Sequence, residues 1–252
     1  MRPVILHYHL FKNAGTSIDT CLQQSFGDRW CNFDSPVGHT ISADDIVARL
    51  HQQPELCAIS SHDAAPPLPS GDFRVYPIVM LRHPVLRAKS AYLFECGVQN
   101  SLSTTAAGFQ AYIDERTKDL NGGVITNFQA CRLANRSPSG PEQVAPATEH
   151  EYARRAINFI DSLAFFGLVE RFHESLVRLN FYLVGEFPDI QLRHHWQNAT
   201  QRNATSVDEQ LASIAGELGP DLYQRLIDRN QQDLTLYQYA CERFATPLTQ
   251  LN

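Results

Sequence analysis

Val75-Tyr-Pro-Ile-Val-Met-Leu81 is an almost uninterrupted apolar run that ends at Arg82-His83-Pro84. A run of that length without polar alternation describes a strand covered on both faces, and such strands belong to parallel sheets with helices above and below. Pro77 is the objection, because proline has no N–H for a ladder and is usually kept to edges and strand starts. Pro84 stands where the first turn of a helix tolerates it, and Val85 to Cys96 has helical spacing. The same strand-then-helix unit occurs earlier: Val4 to Leu10 is strand-like, and helical spacing follows through Ile18, Cys21, Leu22 and Phe26. Ser42 before Ala-Asp-Asp supplies a cap and an acidic first turn for a second helix, with Ile46, Val47 and Leu50 inward. Leu56 to Ile59 and Ala164 to Val169 read as further buried strands, the latter followed by a helix through Phe172, Leu176 and Leu179. Residues 106–161 are mostly helical, broken at Gly122-Gly123 and at Ser137-Pro-Ser-Gly-Pro141. The tail from Val207 to Phe244 is helical with a break at Gly219-Pro220. The expected fold is α/β, three-layered, with a mostly parallel sheet flanked by helices and a helix-rich second half, residues 1–252 forming one domain.

Composition limits the function classes. The 252 residues carry a formal charge of -6 and a pI near 5.9, which argues against a general nucleic-acid binder with its basic surface. Six cysteines are spread thinly with no CxxC pair or Cys/His ligand spacing, so they are expected to be thiols in a reducing compartment. No stretch approaches the roughly 18 apolar residues of a membrane span. The first apolar run holds His7 and His9 and is neither a secretory core nor an anchor. A cytoplasmic location is expected. His7 and His9 share one strand face, but no third metal ligand is apparent from the sequence, and no metal is expected.

Two segments carry chemistry. Lys12-Asn13-Ala14-Gly15-Thr16-Ser17 joins a strand to a helix. A helix N-terminus offers unpaired N–H groups and partial positive charge, which suits a phosphate. Lys12 adds a full charge, Thr16 and Ser17 add hydroxyl donors, and Gly15 is placed where the chain must turn closely. The order is not that of a Walker A loop, whose lysine follows its glycines. Taken alone, the loop also reads as a capped helix start. The second segment, Leu81-Arg82-His83-Pro84-Val85-Leu86-Arg87-Ala88-Lys89-Ser90, sets Arg82 at the end of a buried strand and Ser90 on the next helix. Ligands of α/β proteins sit at such strand ends. An arginine and a serine there suit a second phosphate, although Arg82 taken alone could also pair with a surface carboxylate.

Together the two segments resemble the sulfotransferase superfamily, in particular the branch of the heparan sulfate 2-O- and 6-O-sulfotransferases and their bacterial relatives. His9-Leu-Phe-Lys-Asn-Ala-Gly-Thr-Ser17 is similar to that family's H-x-P-K-[TN]-A-G-T-[ST] loop, and Leu81 to Ser90 to its L-R-[DN]-P-x-x-R-x-x-S element. The likeness extends to Asn127–Leu133, Phe166–Glu170 and Asn230–Tyr237, in order along the chain. Phe11 stands where the family has proline, and His83 where it has an acidic residue or asparagine.

The resemblance implies a P-loop-like sulfotransferase fold. It also implies transfer of a sulfuryl group from 3′-phosphoadenosine 5′-phosphosulfate (PAPS) to an acceptor hydroxyl, leaving 3′,5′-ADP. Lys12 would stabilise charge on the departing phosphate. Asn13, Gly15, Thr16 and Ser17 would lie around the 5′-phosphate, with Arg82 and Ser90 on the 3′-phosphate. Asn198-Ala-Thr-Gln-Arg202 resembles a loop that would close Arg202 over the nucleotide, although a solvated loop arginine is the plainer reading. His62, just after the Leu56–Ile59 run, stands where related 2-O-sulfotransferases have a catalytic histidine. It is the expected base, with Asp63, Glu95 and His9 as alternatives and a purely structural role also open. A saccharide is the first expected acceptor, and a lipid or small-molecule alcohol the second. A P-loop-type kinase and a PAPS- or 3′,5′-ADP-binding protein without catalysis are the competing readings.

Overall fold

Strand β1 (Arg2–Tyr8) is the middle strand of a five-stranded sheet in the computed structural model, which describes residues 1–101, 103–118, 123–135, 151–192 and 205–246. The sheet order is β2-β3-β1-β4-β5, with β2 at Trp30–Asn32, β3 at Ala58–Ser61, β4 at Phe73–Leu81 and β5 at Gly167–Leu168. All neighbouring pairs are parallel. The expected α/β architecture is therefore present.

Alternation along the strands explains the two faces. Val4, Leu6 and Tyr8 of β1 point to one side with Val79 and Leu81 of β4, where helices α2 (Ala43–Gln52), α5 (Phe128–Leu133) and α6 (Glu151–Asp161) cover them. Ile5 points to the other side with Tyr76, Ile78 and Met80, under α1 (Gly15–Phe26) and α7 (Phe172–Leu183). Both faces of β1 and β4 are thus covered and largely apolar, with His7 a buried polar exception on β1, and their sequences lack a polar stripe. Ser42 caps α2 as expected, and Asp45 reciprocates to complete a capping box. A third apolar cluster joins α3 (Pro84–Tyr92), α4 (Ala106–Lys118), α8 (Val207–Leu218) and α9 (Pro220–Asp228) beside the sheet. The last described helix, α10 (Gln231–Phe244), returns to the first face through Leu236, Ala240 and Phe244.

Several elements differ from their sequence reading. Pro77 lies inside β4 opposite Leu6 of β1, yet β5 pairs only with Met80 and Leu81. Around Pro77 the strand has one paired side only, so a missing N–H is tolerated there. The buried run 164–169 contributes just the two residues of β5; Phe165 and Phe166 are buried by packing on opposite faces of the sheet. Strand β2 has no counterpart in the sequence reading. The helix expected to Cys96 is α-helical only to Tyr92 and continues as a π-helix over Leu93–Gln99. The C-terminal tail has a second break between Asp228 and Gln231. Gly122, the Ser137–Pro141 break and the Asn198–Arg202 loop lie outside the described residues. Among the described residues no helix is long and apolar enough to cross a membrane.

Candidate functional site

The register of the three central strands brings their C-terminal ends together. Tyr8 stands opposite Ser61 of β3 and Val79 of β4. The next residues along two of those strands are His9 and His62, and their rings stack with centroids 3.8 Å apart. Strand β4 runs two residues further before Arg82. The loop 9–14 crosses this rim and delivers the chain to the N-terminus of α1.

That loop turns at Lys12 (φ 63°) and Ala14 (φ 60°). Both are left-handed, a region that costs a residue with a Cβ roughly 1 kcal/mol or more and persists only where the surroundings over-determine it. Asn13, between them, supplies that constraint. It is buried, and its side-chain N–H groups donate to the Met80 carbonyl at 2.7 Å and Gln129 Oε1 at 2.6 Å, while its backbone N–H donates to Leu10 O at 3.1 Å. The Asn13 side-chain amide and backbone N–H therefore fasten the loop instead of facing an anion.

Gly15 is needed for a different reason from the turn expected of it. A Cβ there would lie 2.0 Å from His9 Cδ2 and 2.2 Å from its Nε2, so only glycine lets the imidazole lie against the start of α1. Helix α1 has no side-chain cap and no acidic residue in its first turn. The Ser17 N–H donates to the Ala14 carbonyl at 3.0 Å, which leaves the Gly15 and Thr16 N–H groups to a ligand or to water. Thr16 is exposed and Ser17 half-buried at the same end.

Two cations meet there. Arg82 Nη1 donates to the Lys12 carbonyl at 3.1 Å, tying the end of β4 to the loop. The Lys12 Nζ lies 4.1 Å from the centroid of Phe94, on the π-helix, and 5.9 Å from that of Phe11. Partial burial, and then the charge of Arg82, pushes the Lys12 ammonium below its ordinary pKa. A bound anion would offset both effects. Behind Arg82 the buried Glu170 lies 3.8 Å from its Nε and accepts from the His83 N–H at 3.1 Å and the Tyr237 hydroxyl at 2.9 Å. His83 caps α3: its Nδ1 accepts from the Val85 N–H at 3.3 Å. Burial holds the His83 pKa down to about 4, so the ring stays neutral and keeps that lone pair. Ser90 is half-buried, six residues along α3 from Pro84 and about 9 Å up its axis.

On the other side of His9, Asp34 grips His62 twice. Its Oδ2 accepts from His62 Nδ1 at 3.0 Å and its Oδ1 from the His62 backbone N–H at 2.7 Å. The imidazole therefore carries its proton on Nδ1 and a lone pair on Nε2. The Asp34 hydrogen bond raises the His62 pKa above 6.5, against a smaller opposing effect of burial. Burial works to raise the Asp34 pKa, but hydrogen bonds from the His62 ring, Asn32 and the His62 backbone outweigh it and bring it to about 2. The His62 side chain is 43% exposed, open to a substrate. Of the alternative bases, Asp63 accepts from the Ser35 N–H and lies 3.6 Å from Arg132, which also donates to the His62 carbonyl. Glu95 is held by Arg116 at 2.7 Å. His9 remains in the cluster, its Nδ1 2.6 Å from Asp19 Oδ2.

Asp19 is the third partner that the sequence did not reveal beside His7 and His9. Its Oδ1 takes His7 Nδ1 at 2.8 Å. Burial acts to raise the Asp19 carboxyl, and the His7 and His9 hydrogen bonds overcome it, leaving the group well below the carboxylate range. Burial lowers the His7 pKa. The three residues place one potential metal-ligand atom each within 4.8 Å of one another. Their N···O contacts are shorter than the roughly 3.3 Å that separates ligands around a tetrahedral ion with bonds of about 2.0–2.1 Å. The arrangement is that of two imidazoles hydrogen-bonded to one carboxylate. Sequence spacing hid both carboxylates: Asp19 lies on α1, 10 residues after His9, and Asp34 follows β2, 28 residues before His62. Arg202 lies outside the described residues.

No family model matches the chain, and no solved structure matches it. A similar protein is an uncharacterized protein of Archaeoglobus fulgidus, 26% identical over 260 residues that span 96% of this chain and 98% of the relative.

Proposed function

We propose that the chain is a sulfotransferase that moves the sulfuryl group of PAPS to an acceptor hydroxyl. The observation that carries this reading is the hydrogen bond from Arg82 to the Lys12 carbonyl. It unites a cationic, uncapped helix start with the arginine at the next strand end, beside an Asp34-held His62. In this reading the α1 N-terminus, Gly15, Thr16 and Ser17 hold the 5′-phosphate, and Arg82 with Ser90 holds the 3′-phosphate. His62 Nε2 takes the proton of the acceptor hydroxyl as its oxygen bonds to sulfur. The bond from sulfur to the bridging oxygen breaks at the same time, and its electron pair stays on the 5′-phosphate of 3′,5′-ADP, facing Lys12. The proposal includes a saccharide as the acceptor. It also includes a cytoplasmic setting, in which the six cysteines, all free thiols, stay reduced.

Calorimetric titration tests the nucleotide part. The wild-type chain is expected to bind 3′,5′-ADP and to prefer it to ATP with Mg²⁺; the opposite preference would favour a kinase-type reading. Arg82→Ala is expected to lose about 2 kcal/mol, or about 30-fold, toward 3′,5′-ADP. Its affinity for 5′-AMP, which has no 3′-phosphate, should stay within about twofold. Equal losses for the two nucleotides would remove Arg82 from the 3′-phosphate.

The Asp34–His62 pair sets the pH dependence. The base must be neutral, so activity falls as pH drops through its pKa. Because Asp34 raises that pKa, the acidic limb of turnover is expected above 6.5 in the wild type. In Asp34→Asn it should move down toward that ordinary value, as the carboxylate that favours the protonated ring is gone. A pH–rate profile with an unmoved limb would separate Asp34 from the base.

A further inference from the structure

Gln129, in the first turn of α5, is 1% exposed, and its carboxamide fills all four of its hydrogen-bonding positions. Oε1 accepts from Asn13 Nδ2 at 2.6 Å and from the Arg82 backbone N–H at 2.9 Å. Nε2 donates to the Arg82 carbonyl at 2.9 Å and to Asp233 Oδ2 at 3.3 Å. One side chain thus grips the turn of the 12–17 loop and both backbone groups of Arg82. Its own seat is fixed from the C-terminal helix: Asp233 accepts from the Gln129 N–H at 3.2 Å and the Ala130 N–H at 2.7 Å. Asn127 Oδ1 returns the grip by accepting from the Gln232 and Asp233 N–H groups at 3.0 and 3.3 Å.

We propose that Gln129 is a positioning residue that sets the distance between the loop's anion site and Arg82, and thereby lets one nucleotide be held by both of its phosphates at once. The inference rests on the bisphosphate reading above. Two phosphates on one ribose are fixed relative to each other. The second contact is therefore gained as an intramolecular event only if the two half-sites match that span. A carboxamide is suited to the task because it accepts twice on one atom and donates twice from the other. A carboxylate would put an acceptor against the Arg82 carbonyl and the Asp233 carboxylate, and an alkyl group would leave every partner unpaired.

The test is calorimetric titration of wild type, Gln129→Leu and Gln129→Asn with 3′,5′-ADP, 5′-AMP and 3′-AMP, with thermal melting of each protein alongside. Gln129→Asn keeps the carboxamide but draws it back by one methylene from Asn13 and Arg82, and serves where Gln129→Leu does not fold. The expected result is a loss of about tenfold or more for 3′,5′-ADP in a folded variant, with each monophosphate within about twofold of wild type. A merely structural role would weaken the three ligands together, or none, and either outcome overturns the proposal. Wild type binding 3′,5′-ADP no better than 5′-AMP would defeat the bisphosphate reading itself, and the role of Gln129 with it. That failure shows before any substitution is made.

Discussion

His62→Ala lowers turnover by roughly 10²–10⁴-fold, the usual contribution of a positioned general base, while 3′,5′-ADP affinity stays near wild type. The expectation follows from the tautomer. Asp34 takes the Nδ1 proton at 3.0 Å, so the lone pair is on Nε2, and the half-exposed ring can present it to a hydroxyl. Asp63 and Glu95 are held by Arg132 and Arg116 and do not replace it. The acidic limb of the pH–rate profile should vanish with the ring. Steady-state rates and a titration with 3′,5′-ADP check this together. A variant that keeps most of its rate and its limb would pass the role to His9, whose ring stacks on His62 at 3.8 Å.

Lys12→Ala is expected to lower turnover by about 10²–10³-fold, by analogy with removing one donor aimed at transition-state charge. In the proposed reaction the ammonium faces charge that grows as the bridging bond breaks, so the loss should fall on the turnover number more than on nucleotide affinity. Its partial burial and the nearby Arg82 already disfavour the unliganded cation, and an anion at the loop reverses that. Single-turnover rates with saturating PAPS separate the two effects. Turnover within about threefold of wild type with collapsed affinity would make Lys12 an anchor for the ground state only.

The parts of the fold that could be read from the chain are those whose burial is uniform. Val75–Leu81 and Val4–Tyr8 are largely apolar on both faces because helices cover both, and the helices that follow them repeat that pattern. Trp30–Asn32 left no signal: three residues at a sheet edge are too short for any period to show. The run 164–169 looked like a longer strand because Phe165 and Phe166 are buried by side-chain packing, which hydrophobicity cannot distinguish from pairing. Within the site, Lys12 and Arg82 were legible because a local motif contains each. Asp34, Asp19 and Gln129 were not, because each acts across the sheet rim on a partner from another element. Gly15 was singled out for a close turn, and the structure gives another reason for a glycine there. Its backbone is ordinary, and what forbids a side chain is the His9 ring.

PAPS turnover tests sulfuryl transfer most directly. Wild type and Lys12→Ala would be incubated with PAPS and a panel of saccharides, and both 3′,5′-ADP and sulfated saccharide quantified by mass spectrometry. Wild type is expected to release 3′,5′-ADP in step with a sulfated saccharide, and Lys12→Ala to release about a hundredth as much or less. No 3′,5′-ADP above the protein-free control with any acceptor, or equal release by the two proteins, would contradict sulfuryl transfer at this site.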